Sequence, residues 1–174
     1  GSSPQTVGTL GSAVVKGFLD AGIFPTLKHF PGHGRTTMDS HLSLPTIKAT
    51  ASSLQQVELK PFQMGIDNGA PLVMSGHLVV PAFEKKSGWP ATFSKRILKH
   101  ILRKNMSFNG VVVTDSLSME GARKAAKSND EGVVFYNSLM AGNDLLMDST
   151  SLHCGQGQWN GVNKFLATKV NENK

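Results

Sequence analysis

Cysteine is almost missing from this chain. One residue, Cys154, in 174 excludes an intrachain disulfide framework and a cysteine-rich zinc centre. Charge is also thin: Asp, Glu, Lys and Arg make up 17% of residues, below the roughly 25% of ordinary globular domains. Aromatic residues amount to 7%, and no aromatic or base-reading partners for the basic residues are recognised, so no nucleic-acid partner is expected. No run reaches the roughly 18 apolar residues that read as a membrane-spanning helix, so no membrane partner is expected either. The opening GSSPQTVGTLGS lacks the basic n-region and apolar h-region of a secretory signal.

What is present suits one ordinary globular core: 39% apolar residues with 18 glycines. The balance of 18 basic against 12 acidic side chains gives +6 at neutral pH. That excess favours anionic partners without naming one. Much of it sits in Lys85, Lys86, Lys95, Arg96, Lys99, Arg103 and Lys104. These fall in a loop and on polar positions of a helix, which reads as a solvated face.

Strand, loop and helix patterns alternate along the chain. Val7, Leu10, Val14 and Phe18 recur at helical spacing and predict an amphipathic helix closed by Gly22. IFPTLKHF reads as a buried strand. TASSLQQVELKPFQMGIDNG reads as a helix capped at Thr50 or Ser52, with a kink or restart at Pro61. PLVMSGHLVV is a second apolar run. SKRILKHILRKNM reads as a helix capped by Ser94 with Ile97, Leu98, Ile101 and Leu102 inward. GVVVTDS is a third strand, DEGVVFYNSLMAG a helix and NDLLMDS a fourth strand. Residues 151–174 form a C-terminal tail with at most a short helix, leaving 1–150 as the main domain. Near-continuous apolar strands between amphipathic helices predict an α/β fold with a parallel sheet covered on its faces. Lys28, His29, His77, Asp115 and Asp148 cluster where strands end, the edge of such a sheet where sites are built.

One loop carries an unusual density of titratable groups. KHFPGHGRTTMDSH holds three histidines, an aspartate, a lysine and an arginine, punctuated by Pro31, Gly32 and Gly34. Such a loop binds a metal, binds an anion or moves protons. His29, His33 and His41 with Asp39 offer a nitrogen and oxygen ligand set. There is no HExxH, however, and the histidines lie on a loop rather than on one helix face. Asp39 and Ser40 could equally make a local turn, and Asp115 could be a capping aspartate at a strand-to-helix turn.

KHFPGHGRTTMDSH and NGVVVTDSLSMEGA, with VMSGHLVVP, PATFSKRIL and AGNDLLM, resemble glycoside hydrolase family 3, in its β-N-acetylglucosaminidase branch. The similarity runs from about Gly8 to Asp148. It implies a (β/α)8 TIM-barrel-type fold with the site at the C-terminal face. Such a barrel typically needs about 250 residues, so the resemblance implies a partial barrel of about four β/α units, matching the second half. A missing N-terminal half or a second chain would then complete it.

The resemblance also implies chemistry. Asp115 is the expected nucleophile of a retaining hydrolysis, forming a covalent glycosyl-enzyme. His41 is the expected general acid/base, with Asp39 orienting it. A histidine with an unperturbed pKa near 6.5 suits both roles around neutral pH. Lys28 and His29 are expected to bind sugar hydroxyls, and His77 and Met119 to pack against substrate. His33 is expected to shape the loop. Arg35 departs from the acidic or small residue expected after GHG, and either contacts an anionic substituent or faces solvent. The implied reaction is exo-acting release of terminal N-acetylglucosamine from cell-wall-derived glycans, muropeptides above all, with no cofactor and no metal. The implied setting is the bacterial cytoplasm in peptidoglycan recycling, or an exported location in relatives that carry a signal. Two alternatives stay open: a non-catalytic binding module, and another family 3 glycosidase or phosphorylase.

Overall fold

The structure is a computed structural model and describes residues 1–36, 43–128, 130–149 and 156–172. Helix α1 (Pro4–Asp20) leads to strand β1 (Thr26–Phe30), and two short helices, α2 (Ala51–Gln56) and α3 (Leu59–Asp67), to β2 (Leu72–Ser75). A 3-10 turn (Ala91–Phe93) and a π-helical segment (Arg96–Asn105) precede β3 (Val111–Thr114). Helices α4 (Glu120–Ala126), α5 (Glu131–Ala141) and α6 (Gln156–Glu172) follow. The strands form one parallel sheet in the order β1-β2-β3, with Leu72↔Val111 through Ser75↔Thr114 in unbroken register. This is the α/β barrel type expected, in part.

Local chemistry explains where most elements start and stop. The Ser3 hydroxyl accepts from the Thr6 amide, and Pro4 opens α1 where its missing N–H costs nothing. At the far end Gly22 takes φ +74°, and the Gly22 and Ile23 amides close back on Leu19 and Phe18. Thr50 caps α2 by accepting from Ser53 N–H. The helical stretch then restarts, and Pro61 falls in the first turn of α3, where its lack of a donor is harmless. Ser94 accepts from Ile97 N–H and itself donates to Glu84. Asp130 caps α5, and Gly142 ends it at φ +109°.

Two expectations change. The apolar stripe of α1 faces outward: Leu10 is 63% exposed, and Val7, Val14 and Phe18 are exposed beside it. The seam that α1 buries is Gly8, Ser12 and Val15. A side chain at Gly8 would meet Met64 of α3 at 2.2 Å, so close helix approach, not bulk hydrophobicity, selects the inward face. The fourth strand shrinks to one parallel bridge, Val113↔Leu145, beside β3. One core cluster joins Phe30, Val73 and Val112 of the sheet to Leu54, Phe62, Ile97, Leu98 and Leu102 of the covering helices. The Phe30 and Phe62 rings meet edge to face at 5.2 Å. A second cluster packs Phe93, Leu117 and Ala122 with Val134 and Phe135 of α5 and Val162 of α6. The C-terminal residues therefore form a helix of 17 residues seated on α5.

Candidate active site

The site lies at the C-terminal ends of the strands. Asp115 directly follows β3, whose Val112, Val113 and Thr114 are buried and fix the strand. Its amide donates to the Ser75 carbonyl at the end of β2 (2.9 Å). Its Oδ1 accepts from the Ser116 amide (2.9 Å), while Oδ2 faces Nε2 of His29 at 3.6 Å. The side chain of Asp115 is 10% exposed and that of His29 28%, so the pair sits at a mouth rather than in the core. One carboxylate oxygen is held by backbone and the other is presented to a partner, the arrangement a positioned nucleophile needs.

Of the residues expected from the sequence, His29 and Asp115 come together. His33 stands edge-on to His29, with ring centroids 6.0 Å apart. Lys28 is exposed and lines a cavity of about 460 Å³ with Gly32, His33, Arg35 and Glu58. Neither His29 nor Asp115 lines that cavity, so it is not the space between the histidine and the carboxylate. Met119 is buried at the start of α4. Asp39 and His41 lie outside the described residues. Both sides of their segment are anchored. Upstream, the Arg35 guanidinium donates to Glu58 and to Ser53 Oγ. Downstream, Pro45 O accepts from Val79 N–H, and Ile47 N–H donates to Val79 O. Among the described residues no group of three or more His, Cys, Asp or Glu is placed to hold a metal ion.

His77 requires a correction. Expected against substrate, it is 1% exposed. Its Nε2 lies 2.8 Å from the Ser116 carbonyl and its Nδ1 2.9 Å from the Thr92 hydroxyl. A carbonyl only accepts, so Nε2 carries the hydrogen, and in the neutral ring Nδ1 accepts from Thr92. Both nitrogens are thus committed inside the protein. Arg35 faces solvent with 38% of its side chain exposed, and its guanidinium also bonds to Glu58 and Ser53.

The sequence reading passed over the polar groups beneath the site. The Ser75 hydroxyl donates to Asn143 Oδ1 (2.7 Å), and Asn143 Nδ2 donates to the carbonyls of Thr92 and Ser138 (both 2.8 Å). Ser116 Oγ lies 2.8 Å from the hydroxyls of both Ser118 and Ser149. The available signal was a polar residue inside an apolar run, Ser75 in PLVMSGHLVV and Asn143 in AGNDLLM. Such residues inside a sheet must find partners.

Comparison with known proteins fits this geometry. The family model described as "Glycosyl hydrolase family 3 N terminal domain" matches residues 1–167. Beta-hexosaminidase of Thiobacillus denitrificans is 38% identical over 121 residues, which are 70% of this chain and 33% of that protein. Beta-hexosaminidase of Neisseria meningitidis serogroup C is 42% identical over 120 residues, 69% of this chain and 32% of that one. The chain spans about a third of the length of these relatives. Among solved structures, a glycoside hydrolase family 3 β-N-acetylglucosaminidase from Paenibacillus superposes with a TM-score of 0.80 at 34% identity, covering 98% of this chain and 35% of that one. NagZ from Neisseria gonorrhoeae, solved with N-trifluoroacetyl-D-glucosamine, gives a TM-score of 0.75 at 32% identity, covering 92% of this chain and 49% of that one. The chain therefore belongs to glycosyl hydrolase family 3, matching its N-terminal domain.

Proposed function

We propose that this chain carries the nucleophile and the acid/base group of a retaining exo-β-N-acetylglucosaminidase. The observation that carries the proposal is the Asp115 carboxylate, with Oδ1 held by the Ser116 amide and Oδ2 turned to His29. Asp115 Oδ2 attacks the anomeric carbon of a terminal N-acetylglucosamine. The glycosidic oxygen leaves with a proton from His41, which Asp39 orients. A glycosyl ester forms on Asp115. His41, now neutral, takes a proton from water, the water oxygen attacks the same carbon, and the ester bond breaks to release the sugar with its configuration retained. Lys28 and His29 hold sugar hydroxyls at the rim. Protein groups alone carry both steps.

The proposed substrate is a cell-wall-derived glycan such as a muropeptide, whose carboxylates suit a chain of net charge +6. The proposed setting is cytoplasmic recycling. Among the described residues no helix is long and apolar enough to cross a membrane. Among the described residues β1 is an outer strand of the three-stranded sheet, and the relatives are about three times as long. We therefore include completion of the barrel, by further chain or by a second polypeptide, in the proposal.

The test is hydrolysis of 4-nitrophenyl N-acetyl-β-D-glucosaminide. Asp115→Asn should lower kcat by on the order of 10³-fold or more. Undiminished turnover by that variant ends the proposal. His41→Ala should slow alkyl glycosides by about 10²- to 10⁴-fold, and the nitrophenyl substrate far less, because only a poor leaving group needs the proton. Equal losses on both substrates remove His41 as the acid.

A further inference from the structure

We infer that His77 is a positioning residue for the Asp115 carboxylate, acting through the backbone of Ser116; the inference rests on Asp115 as nucleophile. The peptide groups around Asp115 are held from both sides. The amide of Asp115 is fixed by the Ser75 carbonyl (2.9 Å). The next amide, Ser116 N–H, holds Asp115 Oδ1 (2.9 Å). The carbonyl of Ser116 accepts from His77 Nε2 (2.8 Å) and from the Met119 amide (3.1 Å). Holding that carbonyl restrains the backbone of Ser116, the residue whose N–H grips the carboxylate. A carboxylate free to turn about its Cβ bond loses the orientation that in-line attack requires.

The imidazole does not float. Its other nitrogen meets the Thr92 hydroxyl (2.9 Å), and the Thr92 carbonyl accepts from Asn143 Nδ2 (2.8 Å). Asn143 in turn accepts from Ser75 Oγ, on the residue whose carbonyl holds the Asp115 amide. The chain of bonds thus runs from the end of β2 through Asn143, Thr92 and His77 to Ser116, and encircles the base of Asp115. His77, Thr92 and Ser75 are almost wholly buried. Filling the volume of His77 would need only an apolar side chain. A buried, fully bonded imidazole adds little net stability over one, so its distinct contribution is the direction it imposes. The Met119 amide also bonds Ser116 O, so the turn persists when His77 is removed and loses orientation rather than existence.

The experiment compares His77→Leu with His77→Gln in the full chain. The glutamine amide offers an N–H to Ser116 O and an oxygen to Thr92. With 4-nitrophenyl N-acetyl-β-D-glucosaminide, His77→Leu should lower kcat by on the order of 10- to 100-fold with KM within about twofold, and His77→Gln should regain most of the loss. Hydrogen exchange at the Ser116 amide should be faster in the leucine variant and restored in the glutamine variant. If kcat and amide exchange are unchanged in His77→Leu while Asp115→Asn is inactive, the positioning role is overturned and the nucleophile stands. If Asp115→Asn turns over normally, the nucleophile itself is wrong and the inference falls with it. If His77→Leu does not fold, Thr92→Val decides: it removes the Nδ1 bond, together with the long contact of the Thr92 hydroxyl to the Ser75 carbonyl (3.5 Å), and unchanged kcat overturns the role. If the unmodified chain shows no turnover, amide exchange decides alone, and equal exchange in all variants overturns it.

Discussion

Arg35 follows Gly34 in the titratable loop and in sequence is an isolated positive charge. In the fold its guanidinium reaches Glu58 and the Ser53 hydroxyl, joining the loop after β1 to α2 and to the break before α3. Glu58 is the more constrained partner. Its side chain is 6% exposed, and Oε2 makes no hydrogen bond among the described residues. Its Cβ and Cγ lie 2.8 and 2.9 Å from where a side chain at Gly32 would begin, and Gly32 has φ +123°. Arg35→Ala would leave a buried carboxylate without its compensating charge. The expected cost is about 1–3 kcal/mol, read as a lower urea midpoint with unchanged slope. Adding Glu58→Gln should recover part of it, since the stranded charge is then gone. None of this was legible in the sequence, because Arg35 and Glu58 are 23 residues apart and no periodicity links them. Asp115 was legible, because a carboxylate ending VVVT has only the strand's end to occupy. His77 was half legible: its place at the end of an apolar run was visible, but the direction of its ring was not.

Helix α1 shows what a periodic pattern tells and what it omits. Spacing correctly groups Val7, Leu10, Val14 and Phe18 on one side of a helix. It does not say which side is covered. Gly8 and Ser12 carry so little surface that a hydrophobicity count ignores them, yet both are buried and Gly8 lets Met64 come within touching distance. Leu10→Lys with Val14→Glu should therefore change the unfolding free energy by no more than about 0.5 kcal/mol. Binding of the dye ANS should fall, because the pair removes exposed apolar area. A loss of several kcal/mol would mean that the stripe is buried in solution. The caps behave differently. Thr50, Ser94 and Asp130 each precede a helix and each accepts from an amide two or three residues on. Local hydrogen bonding of this kind is fully encoded by neighbours in sequence, which is why these boundaries could be read in advance or found a residue away.

At the scale of the molecule, alternation of apolar strands with helices was enough to reach a parallel α/β sheet, and motif resemblance was enough to reach the family. The fourth strand was overread. NDLLMDS has the composition of a strand, but Asn143 is drawn into bonds with Thr92, Ser138 and Ser75, and Asp144 turns to Arg103 and the Val112 amide. Among the described residues the pairing with β3 is reduced to the single bridge at Leu145, beside amide bonds from Asp144 and Met147. The helix Gln156–Glu172 was underread, since its packing on α5 rests on scattered contacts such as Phe165 over Gly132 rather than on a continuous stripe.

The outermost position of β1 has one further effect. Lys28 and His29 belong to the one strand of the sheet that has a bonded neighbour on a single side among the described residues. A polypeptide strand paired with the outer side of β1 would lie alongside the imidazole that faces Asp115. Under the proposed function, completion of the barrel at β1 and the placing of His29 beside Asp115 would draw on the same five residues.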